Sequence, residues 1–116
     1  KKGMYSVGGK KPEIENKNIQ YVTGYFDKSL PEFFKTYNKS ISFIHIDCDI
    51  YSSTKIVLDH IKGYIRPGLI ILFDELIGYD GFELNEIKAW MELVAKEKIE
   101  YEYLYSHKYE VSLVIK

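Results

Sequence analysis

Two apolar runs, each closed by a pair of acids, constrain this chain more than anything else in it. The first is Ile41-Ser42-Phe43-Ile44-His45-Ile46, followed by Asp47-Cys48-Asp49 and then by Tyr51-Ser52-Ser53-Thr54. The second is Gly68-Leu69-Ile70-Ile71-Leu72-Phe73, followed by Asp74-Glu75. Short apolar runs bounded by turn signals read as strands covered on both faces, the habit of parallel sheets. Open α/β sheets take ligands just beyond the carboxyl ends of their strands. If the two runs are parallel neighbours, four carboxylates meet at one sheet edge. Like charges that close need a cation, a shared proton or open water. A hard divalent metal satisfies them most economically. A lone Asp at a strand end is equally well explained as a turn former or helix cap. Two strand ends with a pair each are harder to explain that way.

The remaining segments fit an alternating order. Lys1 to Lys17 is rich in Lys and Gly without hydrophobic patterning and reads as a flexible arm, leaving 18–116 as the folded domain. Asn18 to Phe26 is β-branched and aromatic and predicts a strand. Ser29 with Glu32 makes a capping box, and Pro31 suits a first helical turn, so a helix is expected through Phe33, Phe34 and Tyr37. Ser52 or Ser53 is placed to cap a helix over Thr54 to Tyr64, ended by Arg66-Pro67-Gly68. A third helix over Leu84 to Lys98 shows Ile87, Trp90, Met91 and Val94 on one face. Ile99 to Tyr105 and Tyr109 to Ile115 then read as an antiparallel hairpin. The pattern predicts an α/β fold, a mostly parallel sheet with a C-terminal antiparallel hairpin.

Bulk properties exclude several partner classes. The 116 residues suit one small domain. Charged residues make up 28% yet net to -1, so there is no electrostatic case for nucleic acid or an anionic membrane. The single cysteine, Cys48, permits no internal disulfide and suits a reducing compartment. No apolar stretch reaches membrane length and no signal-peptide core opens the sequence, so a cytoplasmic location is expected.

Among individual residues, His45 in a buried run reads first as a hydrogen-bonded core residue. Cys48, set between acids, should have a raised pKa and serve packing rather than nucleophilic catalysis. Trp90 reads as core. Tyr25 and Phe26, just past Gly24, serve equally as core filler or as the wall of a cleft for a flat ring.

These residues together resemble the macrocin O-methyltransferase family. The likeness lies in His45-Ile46-Asp47-Cys48-Asp49-Ile50-Tyr51-Ser52-Ser53-Thr54, Arg66-Pro67-Gly68, Phe73-Asp74-Glu75 and Glu86-Ile87-Lys88-Ala89-Trp90, with Gly24-Tyr25-Phe26-Asp27 and Ser29-Leu30-Pro31 upstream. It covers about residues 18 to 116. The resemblance implies a Rossmann-like three-layer sandwich and transfer of a methyl group from S-adenosylmethionine to a small-molecule hydroxyl, with Mg²⁺. It implies Asp47, Asp74 and Glu75 as metal ligands, with Glu75 where many relatives carry Asp. Asp49 is then the general base or a substrate contact, with Asp47 beside it in catalysis. Gly24, Tyr25, Phe26 and Asp47 would lie along the cofactor.

The sequence departs from that family in lacking its N-terminal Gly-rich strand-turn-helix. Ser6-Val7-Gly8-Gly9 does not substitute, since no buried strand precedes it and no helix follows. The family's two further strands would sit between Asn18–Phe26 and Ile41–Asp47. Without them an apolar strand edge is open, and pairing with a second copy is expected. Two other classes end a buried strand in Asp-x-Asp, nucleotide-sugar glycosyltransferases and haloacid-dehalogenase-type phosphatases. The second acidic pair disfavours the first, and Tyr51-Ser52 in place of a Gly-Thr-like turn disfavours the second. A truncated, inactive domain keeping at most a cation site is the non-enzymatic alternative.

Overall fold

The computed structural model describes residues 6–116, so Lys1 to Tyr5 of the expected arm lie outside the described residues. Helix α1 spans Phe26–Phe34, strand β1 Phe43–Ile46, helix α2 Tyr51–Ile61, strand β2 Ile70–Phe73, helix α3 Glu86–Glu97, strand β3 Tyr101–His107 and strand β4 Glu110–Ile115. Short 3-10 turns, Lys62–Tyr64 and Phe82–Leu84, follow α2 and precede α3.

One expected strand is absent. Residues 18–25 are exposed and carry neither helix nor strand, and Phe26 already belongs to α1. β-branched and aromatic composition favours a strand only where a neighbour supplies ladder bonds. Among the described residues no strand pairs with this stretch. With α1 starting at Phe26, Tyr25 is its N-cap and offers no side-chain bond, so the Ser29/Glu32 capping box does not form. Pro31 falls inside the helix, where it removes one helical hydrogen bond. The helix closes at Phe34 rather than reaching Tyr37. Phe34 stacks on Tyr64 at 4.8 Å between ring centroids, which pins α1 to the end of α2.

The four strands form one sheet in the order β1-β2-β4-β3. β1 and β2 are parallel, joined across α2, with Phe43 opposite Ile70 and Ile46 opposite Phe73. β4 runs antiparallel to both β2 and β3. The sheet is therefore mixed, with one parallel pair, not mostly parallel. β3, reached through α3, runs in the same direction as β2, and β4, returning from β3 by a tight turn, is therefore antiparallel to both where it inserts between them.

One sheet face is the core. Ile46, Ile71, Phe73, Leu113 and Ile115 are buried there against Leu58 and Ile61 of α2 and Ala89, Trp90 and Leu93 of α3. Trp90 packs 5.6 Å from Phe73 and 5.3 Å from Tyr101, ring to ring. On the other face none of Phe43, His45, Ile70, Leu72, Ser112 or Val114 is buried. The described residues thus form two layers rather than the expected three, and the strands are not covered on both faces. Their continuous apolar runs had implied a second helical layer that no element here supplies.

The hairpin turns at Lys108 and Tyr109 and folds back on the segment after β2. Leu76 N–H donates to the Tyr109 carbonyl at 2.9 Å. Gly78, at φ +89°, lies so close to the Lys108 carbonyl that a Cβ would sit 3.3 Å from it, which glycine alone accommodates without strain.

Candidate functional site

The site is built by the parallel pair. Asp74 N–H donates to the Ile46 carbonyl at 2.9 Å, the last ladder bond between β1 and β2. The next residue of β1's segment is Asp47. Both strands therefore release their acids at the same edge.

The convergence has an electrostatic consequence for two of the acids. Burial pushes the Asp47 carboxyl above the usual range, and Asp74 and Asp49 push it further. Glu75 is raised by burial first, then by Asp49, Asp74 and Asp47. His45 lies beside them rather than in the core, with Nε2 3.5 Å from Asp74 Oδ1 and the side chain partly exposed.

Asp49 occupies an unusual backbone position. Its φ is +61°, and Ile50 N–H donates to the Cys48 carbonyl across it at 2.7 Å. Such tight turns at positive φ are strained for a residue with a side chain. The turn swings the chain from β1 into α2, whose N-cap is Ile50 without a side-chain bond. Ser52 and Ser53, expected as caps, lie inside the helix instead.

Cys48, between the two acids, is pushed up from 9.0 to about 11, first by burial and then by Glu86, Asp47 and Asp49. It packs against the core as the sequence implied.

The sequence named Glu86 only within the motif of the resemblance and gave it no role. Its Oε1 accepts the N–H groups of Cys48 at 3.1 Å and Asp49 at 3.2 Å. Its Oε2 accepts the N–H of Glu75 at 3.2 Å. A Glu in the first turn of a helix reads as an ordinary surface acid favoured by the helix dipole. Only its place directly before the apolar stripe of α3 hinted at burial. Tyr79 is also near the edge, and its hydroxyl is raised by burial, with Glu75, Glu86 and Asp49 contributing. No sequence signal singled it out.

The expected cofactor residues border two depressions that share Phe26. Phe26 lines a groove of about 450 Å³ together with Phe34, Ile44, Ile46, Asp47 and Cys48. This groove falls within the size of small-molecule sites. Gly24, at φ +133°, and Tyr25, 88% exposed, border with Phe26 a second depression against Ser53 and Ile56 of α2.

Asp47, Asp74 and Glu75 have the hard-oxygen character that Mg²⁺ requires. Among the described residues, however, no group of three or more His, Cys, Asp or Glu side chains is arranged to hold a metal ion. The donors fit in kind but not in arrangement. No helix among the described residues is long and apolar enough to cross a membrane.

No protein-family profile matches the sequence, and no curated protein matches it. Solved structures do. The chain is similar to the apo structure of CalS11, a TDP-rhamnose 3'-O-methyltransferase of calicheamicin biosynthesis. The TM-score is 0.64 at 24% identity, over 80% of this chain and 40% of that one. A second structure of CalS11, described as calicheamicin methyltransferase, gives 0.61 at 25% identity, over 78% and 35%. The chain thus has an α/β fold that matches part of a methyltransferase fold, and it spans less than half the length of these enzymes.

Proposed function

We propose that this chain is the acid-bearing, acceptor-side part of an S-adenosylmethionine-dependent O-methyltransferase. The observation that carries this reading is the delivery of Asp47, Asp49, Asp74 and Glu75 to one edge by two parallel strands, in a fold that matches part of a sugar O-methyltransferase. A sugar hydroxyl is the acceptor class favoured, since TDP-rhamnose is the substrate named for the similar enzyme.

S-adenosylmethionine, when bound, supplies a methyl group on a sulfonium. The protein's residues do the rest. Phe26 and the apolar wall of Ile44 and Ile46 offer a surface for a flat ring. Asp47, at the mouth of the same groove, hydrogen-bonds and orients the acceptor hydroxyl. Asp49, held at the turn, removes the hydroxyl proton as general base. The oxygen's electron pair then forms the new O–CH₃ bond while the S–CH₃ bond breaks. Holding oxygen and methyl in line supplies much of the acceleration. Mg²⁺ would need the Asp47, Asp74 and Glu75 side chains to rearrange before they could serve as its ligands, and no step above depends on it.

The outer edge of β1 is unpaired within the sheet. That supports association with a second copy through this edge.

Titration calorimetry with S-adenosylhomocysteine, magnesium chloride and a UDP-sugar tests the assignment. Binding of S-adenosylhomocysteine supports it. Tight UDP-sugar binding would replace it with the glycosyltransferase reading. Binding of none of the three would favour an inactive domain.

A further inference from the structure

Among the described residues, Glu86 is the one charged side chain that is fully buried, at 0% exposure. A buried carboxylate is costly unless its oxygens are bonded. An apolar residue of similar shape would fill the same volume more cheaply. Here every hydrogen bond of the carboxylate goes to a backbone N–H of the acidic edge, and the two oxygens serve the adjacent ends of two different strands. Oε1 takes Cys48 and Asp49, at the turn after β1. Oε2 takes Glu75, after β2. Bonds to an ionised acceptor are the stronger kind. They act where the chain needs restraint, since Asp49 sits at φ +61° and the neighbouring acids repel.

We infer that Glu86 is a positioning residue: its carboxylate clamps the Cys48–Asp49 turn to the Glu75 backbone and so sets the spacing of the acids that face the acceptor. The clamp stands on the three hydrogen bonds. Its service to methyl transfer rests on the function proposed above. The carboxylate is suited to this task because it is acceptor-only on both oxygens. Glutamine keeps the shape but turns an NH₂ donor toward one of the two strand ends. Aspartate is one methylene too short to span both.

Residue-resolved amide hydrogen exchange on the full chain tests the clamp without using any ligand. In the wild type the Cys48, Asp49 and Glu75 amides should be protected. In Glu86→Gln, one strand end should lose protection by about tenfold or more while the other keeps it. The Ile71 and Leu113 amides of the core should be unchanged. A uniform change across core and edge would indicate a merely structural role and overturn the inference. Unchanged exchange at all three edge amides would overturn it as well. Should Glu86→Gln fail to fold, the wild type decides. Exchange of any of the three as fast as in the exposed 18–25 segment would overturn the clamp. Failure of the wild type to bind S-adenosylhomocysteine would instead remove the methyltransferase reading and leave the amide result standing.

Discussion

His45 Nε2 lies 3.5 Å from Asp74 Oδ1, across the parallel pair that ends in the acidic edge. The imidazole thus competes for a carboxylate that the proposed site would use. His45→Ala should free Asp74 and strengthen Mg²⁺ binding a few-fold by calorimetry, whereas Asp47→Asn should abolish it. Weaker binding in His45→Ala would make the histidine itself a ligand. Unchanged affinity in Asp47→Asn would remove Asp47 from the ligand set.

The Cys48 thiol should be unreactive through neutral pH. Its folded-state pKa is raised from 9.0 to about 11, so the folded chain holds this proton more tightly than the unfolded chain. Stability from this group is complete below pH 9 and falls as pH rises from 9 towards 11. Iodoacetamide alkylation should accelerate with a midpoint near 11, measured by mass spectrometry. A midpoint below 8.5 would contradict the burial and the negative surroundings.

The backbone at Asp49 makes a prediction independent of charge. Asparagine tolerates positive φ and valine does not. Both substitutions remove the carboxylate, yet Asp49→Val should be less stable than Asp49→Asn by about 1–2 kcal/mol. Urea unfolding measures the difference, and equal midpoints would mean that the turn is relaxed.

The β1 edge predicts self-association that a proline can block. The Ser42 and Ile46 carbonyls point to β2, so by alternation the N–H groups of Phe43 and His45 point outward. Phe43→Pro removes one outward donor and spares the β2 ladder. Sedimentation equilibrium should show dimers for the wild type and monomers for Phe43→Pro. A wild type that stays monomeric at high concentration would end the edge-pairing proposal.

Leu58 is 1% exposed between α2 and the sheet. Leu58→Ala should cost about 2–5 kcal/mol, a large share of what holds a domain of this size together. Thermal unfolding should show a drop of several degrees or more.

The parts of this fold that sequence reveals are those governed by local pattern. The two apolar runs became β1 and β2 with their acids side by side. Of the expected stripe on α3, Trp90 is buried, Ile87 and Val94 are partly buried and Met91 is exposed, while Ala89 and Leu93 complete the buried face; the hairpin formed, with its turn at Lys108 and Tyr109. The failures have one physical source, the identity of neighbours. Asn18 to Phe26 has the composition of a strand but no partner strand among the described residues. Ile70, Leu72 and Phe43 have the hydrophobicity of a doubly covered sheet, yet only one face is covered. Within the site, the acids were legible because each pair sits in sequence at a strand end. Glu86 was not, because its role depends on three backbone groups from two other segments.

The bond from Leu76 to the Tyr109 carbonyl carries a lesson for reading variants of this chain. Ranked by distance along the polypeptide, a change at Lys108 or Tyr109 belongs to a remote surface loop. Traced through the bond, it is one peptide unit from Glu75. Natural or engineered diversity in that loop can therefore retune the acids while leaving every one of them in place.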